Sequence, residues 1–277
     1  MRIAGVGGGI SGLVAAYRLR VLLGDSAEII VADSRDRFGG VLRTSEIAGE
    51  PVDLGAEAFV GRRPEVPELL SELGIADQLV HPAGLRPLIW SDGRVHPLPE
   101  RTLMGIPTAA ASVEGLVDAA TLEWIATEPD RPFTWRPGAD IDVHSLVAER
   151  FGEQTVARSV DPLLGGVYAG TARSVGVRAA LPTLAVALDR GAACLTDAVA
   201  AALPPPSGAP VFGALRDGYG ALLDALAAHT AAVTVGDTAV TGLRRISGGW
   251  AVDPLGEFDA VVLATPAPVT ARLLADI

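Results

Sequence analysis

The chain has 277 residues, a formal net charge of −11 and 49% hydrophobic residues, which are the proportions of a globular protein. Nucleic acid is a poor partner for so acidic a chain, because phosphate binding requires clustered positive charge. No uncharged apolar run is long enough for a transmembrane helix, and the glycine-rich turn near the first residue leaves no room for a signal peptide. The single cysteine, Cys194, allows no intrachain disulfide, so a cytoplasmic protein is expected.

The types of basic residue exclude several chemistries. All of them are arginines, so a Schiff-base lysine and a Walker-type phosphate loop are excluded within this chain. The four histidines stand at no metal-ligand spacing, and neither an HExxH nor a CxxC motif is present. No metal site is therefore expected.

Residues 2–33 predict a βαβ unit of the kind that binds a dinucleotide. A short apolar strand at 2–6 leads into a glycine-rich turn, and a helix with apolar side chains at helical spacing covers 11–23. A buried strand follows at 28–33 and ends in Asp33, about 20 residues after the last glycine of the turn, as the fingerprint expects.

Each glycine of this G-x-G-x-x-G turn has its own physical role. Gly7 permits a tight turn, Gly9 lets the backbone approach a pyrophosphate, and Gly12 lets the helix pack closely on the strand. The helix N-terminus offers N–H groups to phosphates, while Asp33 can accept hydrogen bonds from ribose hydroxyls and would repel the 2′-phosphate of NADP. The alternative is an ordinary glycine-rich turn without a nucleotide, since the glycine motif alone is weak evidence.

The residues after Asp33 distinguish FAD from NAD. The segment "DSRDRFGGV" has the pattern acid-x-x-x-R-x-G-G, and "VDLGAEAF" at 52–59 contains D-x-G. Together they resemble the FAD-dependent amine-oxidase superfamily, which includes porphyrinogen oxidases and phytoene desaturases. Val41 stands where many amine oxidases carry an arginine, which weakens that branch. The resemblance implies FAD as the cofactor, bound by Gly7, Gly8, Gly9, Ile10, Ser11, Gly12, Asp33, Ser34, Arg37, Gly39, Gly40, Val41, Gly55, Ala56, Glu57, Ala58 and Val240.

A second domain is predicted in the middle of the chain. From about residue 81 the sequence becomes rich in proline, with a hairpin at Asp92-Gly93 and helices at 112–127 and 143–160. Composition alone makes 160–184 a glycine-containing surface loop, and the prolines of 203–210 predict a stiff linker. The expected domains are therefore an FAD-binding domain at 1–80 and 211–277 and a substrate-binding, partly helical domain at 81–210.

The segment "PLLGGVYAG" at 162–170 closely resembles the protoporphyrinogen/coproporphyrinogen oxidase family, in its bacterial, soluble-type branch. "VDLGAEAFVGRRPEV" and "FGALRDGYGALLDALA" agree with that family in order. The implied fold is α/β (α+β): a Rossmann-like FAD-binding domain of the glutathione-reductase/amine-oxidase type with an inserted, partly helical substrate domain. The family continues well beyond Ile277, so the chain is expected to lack the C-terminal part of its relatives.

This resemblance implies the oxidation of coproporphyrinogen III or protoporphyrinogen IX to the porphyrin in haem biosynthesis, with FAD as electron acceptor and molecular oxygen as the oxidant that regenerates it. Ferrochelatase is an expected downstream partner, and relatives make peripheral membrane contact, although no basic amphipathic helix is predicted here. Arg62 and Arg63 are candidates for a propionate contact, and Gly166, Tyr168 and Gly170 for a loop lining the cleft. The alternative for the two arginines is an exposed pair at a helix N-terminus.

Two other readings stay open. One is an amine oxidase or a carotenoid desaturase on the same fold. The other is a truncated, catalytically inactive homologue. No histidine or acidic residue stands out as a catalytic base, and coproporphyrinogen is not separated from protoporphyrinogen.

Overall fold

The structure is a computed structural model that describes residues 1–61, 63–205, 210–275 and 277. Within these residues the strands are β1 (Arg2–Val6), β2 (Glu28–Ala32), β3 (Thr44–Ile47), β4 (Glu50–Asp53), β5 (Phe59–Val60), β6 (Leu79–Val80), β7 (Leu88–Ser91), β8 (Arg94–Pro97), β9 (Thr102–Leu103), β10 (Ile106–Pro107), β11 (Phe212–Leu215), β12 (Val233–Val235), β13 (Gly242–Ile246), β14 (Gly249–Asp253), β15 (Gly256–Phe258) and β16 (Ala260–Leu263). The helices are α1 (Ile10–Leu23), α2 (Glu65–Glu72), α3 (Ala119–Ala126), α4 (Val143–Phe151), α5 (Glu153–Thr155), α6 (Asp161–Tyr168), α7 (Val177–Ala180), α8 (Pro182–Asp189), α9 (Leu195–Ala202), α10 (Gly220–Thr230) and α11 (Ala267–Leu273).

The chain divides into two compact units. The first consists of Met1–Ala83 and Gly208–Ile277, and the second of Gly84–Ser207. The first unit is therefore discontinuous in sequence, and the second is an insertion between its two segments.

A parallel sheet forms the centre of the first unit, with the strand order β12-β2-β1-β16. All three strand pairs are parallel, with Ile3 opposite Ile29 on one side and opposite Ala260 on the other. The side chains of β1 and β2 are buried almost throughout, as parallel strands covered on both faces require. Helix α1 connects β1 to β2, so the predicted βαβ unit is confirmed.

Two apolar layers cover this sheet. On one side, Ala16 of α1 packs with Ile29 and Val31 of β2, and α1 shares a further core with α10 that includes Leu13 and Leu222. On the other side, the antiparallel sheet β13-β14-β15 contributes buried residues such as Val252 to a core with β1 and β2. Both faces of the sheet are therefore covered, and the carboxyl ends of its parallel strands lie at one edge.

Helices dominate the second unit and surround their own apolar core. Leu146, Phe151, Leu164, Leu184 and Leu195 are among its buried residues. The predicted hairpin is present as β7 and β8, and both residues of its Asp92-Gly93 turn have positive φ. Of the residues described, no helix is both long and apolar enough to span a membrane.

Two predictions for this unit are corrected by the structure. Residues 160–184 are not a surface loop, because α6, α7 and the first turn of α8 lie within them. Pro162 sits in the first turn of α6, and Leu164 is fully buried, so burial of an apolar face outweighs the poor helix propensity of the two following glycines. The helix predicted at 112–127 is only α3, preceded by a 3₁₀ turn at Ala110–Val113. Part of the linker at 203–210 lies outside the described residues.

Candidate functional site

A cavity of about 880 Å³ lies in the first unit, at the edge where β1, β2 and β16 end. The carboxyl ends of parallel strands are where open α/β sheets bind ligands. The cavity is lined by Val6, Gly7, Gly9, Ile10, Ser11, Ala32, Asp33, Ser34, Arg35, Gly40, Val41, Thr238, Ala239, Val240, Thr241, Ala264, Thr265, Pro266, Val269, Arg272 and Leu273.

Two glycines of the turn are required by the protein's own packing. Gly7 has φ +105°, and a Cβ added there would lie 2.6 Å from the carbonyl oxygen of Ala264. A Cβ on Gly12 would lie 1.9 Å from the carbonyl oxygen of Gly7. The close approach predicted for Gly12 is therefore present, and it is made to the turn itself.

Gly9 has no such packing reason to be a glycine. Its backbone is extended, with φ −72° and ψ 178°, a conformation open to any residue. Among the described residues a Cβ at Gly9 would meet only the Cα of Gly40, at an ordinary 3.7 Å. Since Gly9 lines the cavity, the space that a side chain would fill belongs to whatever the cavity holds.

The N-terminus of α1 opens into the same cavity. Gly9 is its N-cap and provides no side-chain hydrogen bond, and the first turn contains no acidic residue. The first N–H groups of a helix have no partner within the helix, and the helix dipole gives them partial positive charge. This end of α1, together with the space beside Gly9 that a side chain would fill, fits the diphosphate of a dinucleotide.

Asp33 sits at the end of β2 and organises the backbone around it. Its carboxylate accepts hydrogen bonds from the N–H of Gly8 at 2.7 Å and of Arg35 at 2.9 Å. The Asp33 carbonyl accepts the N–H of Thr238 at 2.8 Å, which fixes the start of the segment containing Val240. The cavity is thus lined by Asp33 and Ser34 and also by Val240, which lies far from them in the sequence.

Arg37 braces a loop and is absent from the described lining of the cavity, so its contact with FAD stays a prediction. Its guanidinium donates to the carbonyl oxygens of Gly40 at 2.8 Å and Leu42 at 3.1 Å. The Gly39 N–H donates to the carbonyl of Gly8 at 2.8 Å, which attaches this loop to the turn before α1. The loop in turn presents Gly40 and Val41 to the cavity.

The D-x-G segment packs along this loop. The Ala56 N–H donates to the Val41 carbonyl at 3.0 Å, and a Cβ on Gly55 would lie 1.9 Å from that same oxygen. Gly55, Ala56, Glu57 and Ala58 are absent from the described lining of the cavity. Their contact with FAD stays a prediction, and the structure brings Gly55 and Ala56 beside a loop that does line the cavity.

Asp53 has a structural role that the sequence did not reveal. Its carboxylate accepts the N–H of Tyr219 at 3.0 Å and the hydroxyl of Thr44, while the Thr44 oxygen accepts the N–H of Gly220 at 2.8 Å. The pair therefore caps the N-terminus of α10, which has no cap from its own N-cap side chain. Burial and the neighbouring Asp53 charge raise the pKa of Tyr219 to about 12.

We expect Asp53→Ala to lower the free energy of unfolding by about 1–2 kcal/mol, the usual cost of losing a helix cap. Urea unfolding followed by circular dichroism measures this change. Asp224, an exposed acid on α10 itself, is the matched control, and Asp224→Ala should stay within about 0.5 kcal/mol of the wild type. Equal stability of the two variants would contradict the capping role.

The residues predicted to contact substrate belong to different units, and one of them lies outside the described residues. Arg62 lies outside the described residues, and Arg63, in the first unit, is exposed. In the second unit, Gly166 and Tyr168 belong to α6, and Gly170 follows it, so these residues are not the flexible loop that was predicted. The Tyr168 hydroxyl donates to the carbonyl of Ala180 at 3.0 Å. Substrate contacts at all five positions remain predictions.

Several residues that line the cavity were not predicted from the sequence. Thr238, Thr265 and Pro266 follow β12 and β16, two strands that lie far from the glycine turn in the sequence. These residues can be identified from the strand order, because the carboxyl ends of neighbouring parallel strands share an edge of the sheet. Arg35 and Arg272 were also missed, since no motif marks them.

Relatives of known name match nearly the whole chain. It is 56% identical over 273 residues to the coproporphyrinogen III oxidase of Mycobacterium tuberculosis, with 97% of this chain and 60% of the relative covered. It is 54% identical over 276 residues to the enzyme of the same name from Mycobacterium leprae, covering 98% of this chain and 61% of that protein. The chain thus spans about three fifths of the length of these relatives.

A solved structure agrees with these relatives. The crystal structure of a protein from Exiguobacterium sp. 255-15, named as a candidate protoporphyrinogen oxidase, superposes with a TM-score of 0.82 at 26% identity. The match covers 99% of this chain and 61% of that one. The expected fold and the resemblance to the porphyrinogen oxidases are therefore confirmed.

The family model described as flavin containing amine oxidoreductase matches residues 10–276, nearly the whole described chain. Its flavin agrees with the cofactor predicted from the residues after Asp33. By this match and by its relatives, the chain belongs to the flavin-containing amine oxidoreductases.

Proposed function

We propose that the protein binds FAD in the cavity of the first unit and oxidises coproporphyrinogen III to the porphyrin in haem biosynthesis. The observation that carries this proposal is the identity of 56% to a coproporphyrinogen III oxidase across nearly the whole chain. The cavity at the strand ends, with an uncapped helix N-terminus and a glycine at position 9 that the protein's own packing does not require, supports FAD binding on physical grounds. The first unit then serves as the FAD-binding domain and the second as the substrate domain.

The residues of this chain bind and orient the cofactor. The N–H groups of Ile10 and Ser11 face the diphosphate, and the Asp33 carboxylate faces the ribose while its backbone bonds hold it in place. The loop braced by Arg37 presents Gly40 and Val41 toward the cofactor. FAD, when bound, accepts electrons from the methylene bridges of the macrocycle and passes them to oxygen.

The substrate is proposed as coproporphyrinogen III because both mycobacterial relatives carry that name. Protoporphyrinogen IX is the second candidate, supported by the name of the Exiguobacterium protein. Val41, at the position where many amine oxidases have arginine, argues against an amine substrate. We also propose molecular oxygen as the final acceptor, ferrochelatase as a downstream partner and the cytoplasm as the location.

The test has two stages on the 277-residue chain. FAD is added, excess cofactor is removed by gel filtration, and the visible spectrum of the protein peak is recorded. The flavin-bound protein then receives coproporphyrinogen III, protoporphyrinogen IX or a primary amine in air, and porphyrin fluorescence and peroxide are followed. The proposal expects retained flavin and the fastest rise of fluorescence with coproporphyrinogen III.

A catalytically inactive homologue is the competing reading, and the same assay distinguishes it from the oxidase. Retained flavin without any porphyrin fluorescence would support this reading against the oxidase. A colourless protein peak would overturn the proposed cofactor site in this chain.

A further inference from the structure

Helix α11 presents one face to the cavity. Val269, Arg272 and Leu273 line it, and they stand at the i, i+3 and i+4 spacing that places side chains on one side of a helix. Leu273 is buried against the sheet, whereas Arg272 is exposed and belongs to the cavity wall. Arg272 is therefore the polar member of an otherwise apolar face.

The position of α11 relates Arg272 to the glycine turn. The helix begins directly after β16, which pairs with β1 in the central sheet. At the end of β16 the Ala264 carbonyl packs closely on Gly7, and the Ala264 N–H donates to the Val6 carbonyl at 2.8 Å. Arg272 stands in the last turn of α11 and lines the same cavity as the glycine turn and the N-terminus of α1.

The charges around the cavity leave a role for this guanidinium. Among the described lining residues, the charged side chains are those of Asp33, Arg35 and Arg272. Asp33 is negative, and the helix dipole of α1 supplies only about half a positive charge, while a diphosphate carries about two negative charges. The Arg37 guanidinium donates to the carbonyls of Gly40 and Leu42, and Arg37 is absent from the described lining.

We propose that Arg272 binds the diphosphate of FAD and is a cofactor-anchoring residue of this protein. The inference rests on the proposed binding of FAD in this cavity. A guanidinium suits this task because its parallel N–H groups match two phosphate oxygens. Arg35, the other arginine of the described lining, donates its backbone N–H to the Asp33 carboxylate.

The test compares ADP and adenosine as ligands, measured by isothermal titration calorimetry on the full chain. Removing a charged hydrogen bond to phosphate is expected to weaken ADP binding about 10- to 100-fold in Arg272→Ala, with adenosine changed by less than about threefold. Arg272→Lys should recover part of the loss and Arg272→Glu should deepen it. High salt should reduce the difference between wild type and Arg272→Ala, because it screens exposed charges.

Arg244→Ala is the matched control, since Arg244 is an exposed arginine of the same unit that is absent from the described cavity lining. Its ADP affinity should equal that of the wild type. If wild type binds ADP and Arg272→Ala binds it equally well, the role of Arg272 is overturned while FAD binding stands. An equal loss of ADP and adenosine likewise overturns a phosphate contact. A wild type that binds neither ADP nor FAD overturns the proposed cofactor site together with this inference.

Discussion

Gly9→Ala is expected to weaken FAD binding by about 100-fold or more, equivalent to about 2.7 kcal/mol, while the chain stays folded. The added methyl group meets only the Cα of Gly40 at 3.7 Å within the described protein, so nothing in the fold resists it. It would project instead into the cavity, where the backbone is predicted to approach the diphosphate of FAD. Flavin fluorescence titration measures the affinity, and thermal unfolding without FAD measures the stability, which should change by no more than about 1 kcal/mol.

Gly12→Ala is the informative comparison for this prediction. Its methyl group would lie 1.9 Å from the Gly7 carbonyl oxygen, so the turn has to shift, and stability should fall by about 1–3 kcal/mol even without cofactor. The two variants thus distinguish Gly9, which faces the ligand site, from Gly12, which is required by the packing of the turn. If Gly9→Ala unfolds as readily as Gly12→Ala, or binds FAD as wild type does, the assignment of Gly9 to the cofactor is wrong.

The parts of this fold that sequence patterns predicted are those determined by local spacing. The strand at 2–6, the helix that became α1 and the strand ending before Asp33 follow one another within about thirty residues, so periodicity and glycine positions define them. The dinucleotide fingerprint placed Asp33 at the ribose, whereas Val240 was placed near the same cofactor only through the family resemblance. Their adjacency depends on the order of strands in the sheet, which no local pattern encodes.

The parts that escaped prediction depend on contacts between distant residues. Glycines at 165 and 166 suggested a loop, but burial of Leu164 makes the segment helical. Asp53 caps a helix whose first residue follows it by more than 160 positions, and Arg37 supports a loop instead of lining the cavity. The sequence shows which side chains can form hydrogen bonds, but only the fold determines the backbone group with which each one pairs.

The second unit depends on a buried ion pair that no motif marks. Glu128 is 0% exposed, and its carboxylate accepts the Nε–H of Arg150 at 2.8 Å and the backbone N–H groups of Leu195 and Thr196 at 2.9 and 3.1 Å. It thereby caps α9. Arg150 donates in addition to the carbonyl of Pro132 at 2.8 Å. Among the described residues, no side-chain nitrogen or oxygen of Glu128 or Arg150 is buried without a hydrogen-bond partner, which is the condition under which buried charges are tolerated.

We expect Glu128→Gln to lower the free energy of unfolding of this unit by about 3–5 kcal/mol at neutral pH, because the Arg150 charge remains buried without its counter-charge. Urea unfolding monitored by tryptophan fluorescence reports the change, since Trp124 and Trp135 lie in this unit. Glu123, an exposed acid on α3, is the control, and Glu123→Gln should stay within about 0.5 kcal/mol of wild type.

The pKa of Glu128 predicts how the stability difference between wild type and Glu128→Gln changes with pH. Burial by itself would raise the pKa of Glu128, but the hydrogen bonds from Leu195, Thr196 and Arg150 outweigh it and lower the pKa below the ordinary 4.5. A carboxyl with a lower pKa in the folded state stabilises the fold above its unfolded-state pKa, and this stabilisation is lost as pH falls through the folded-state value. The stability difference between wild type and Glu128→Gln should therefore be largest near neutral pH and shrink in acid. A difference that stays constant or grows below pH 4.5 would show that Glu128 does not stabilise this unit through its charge.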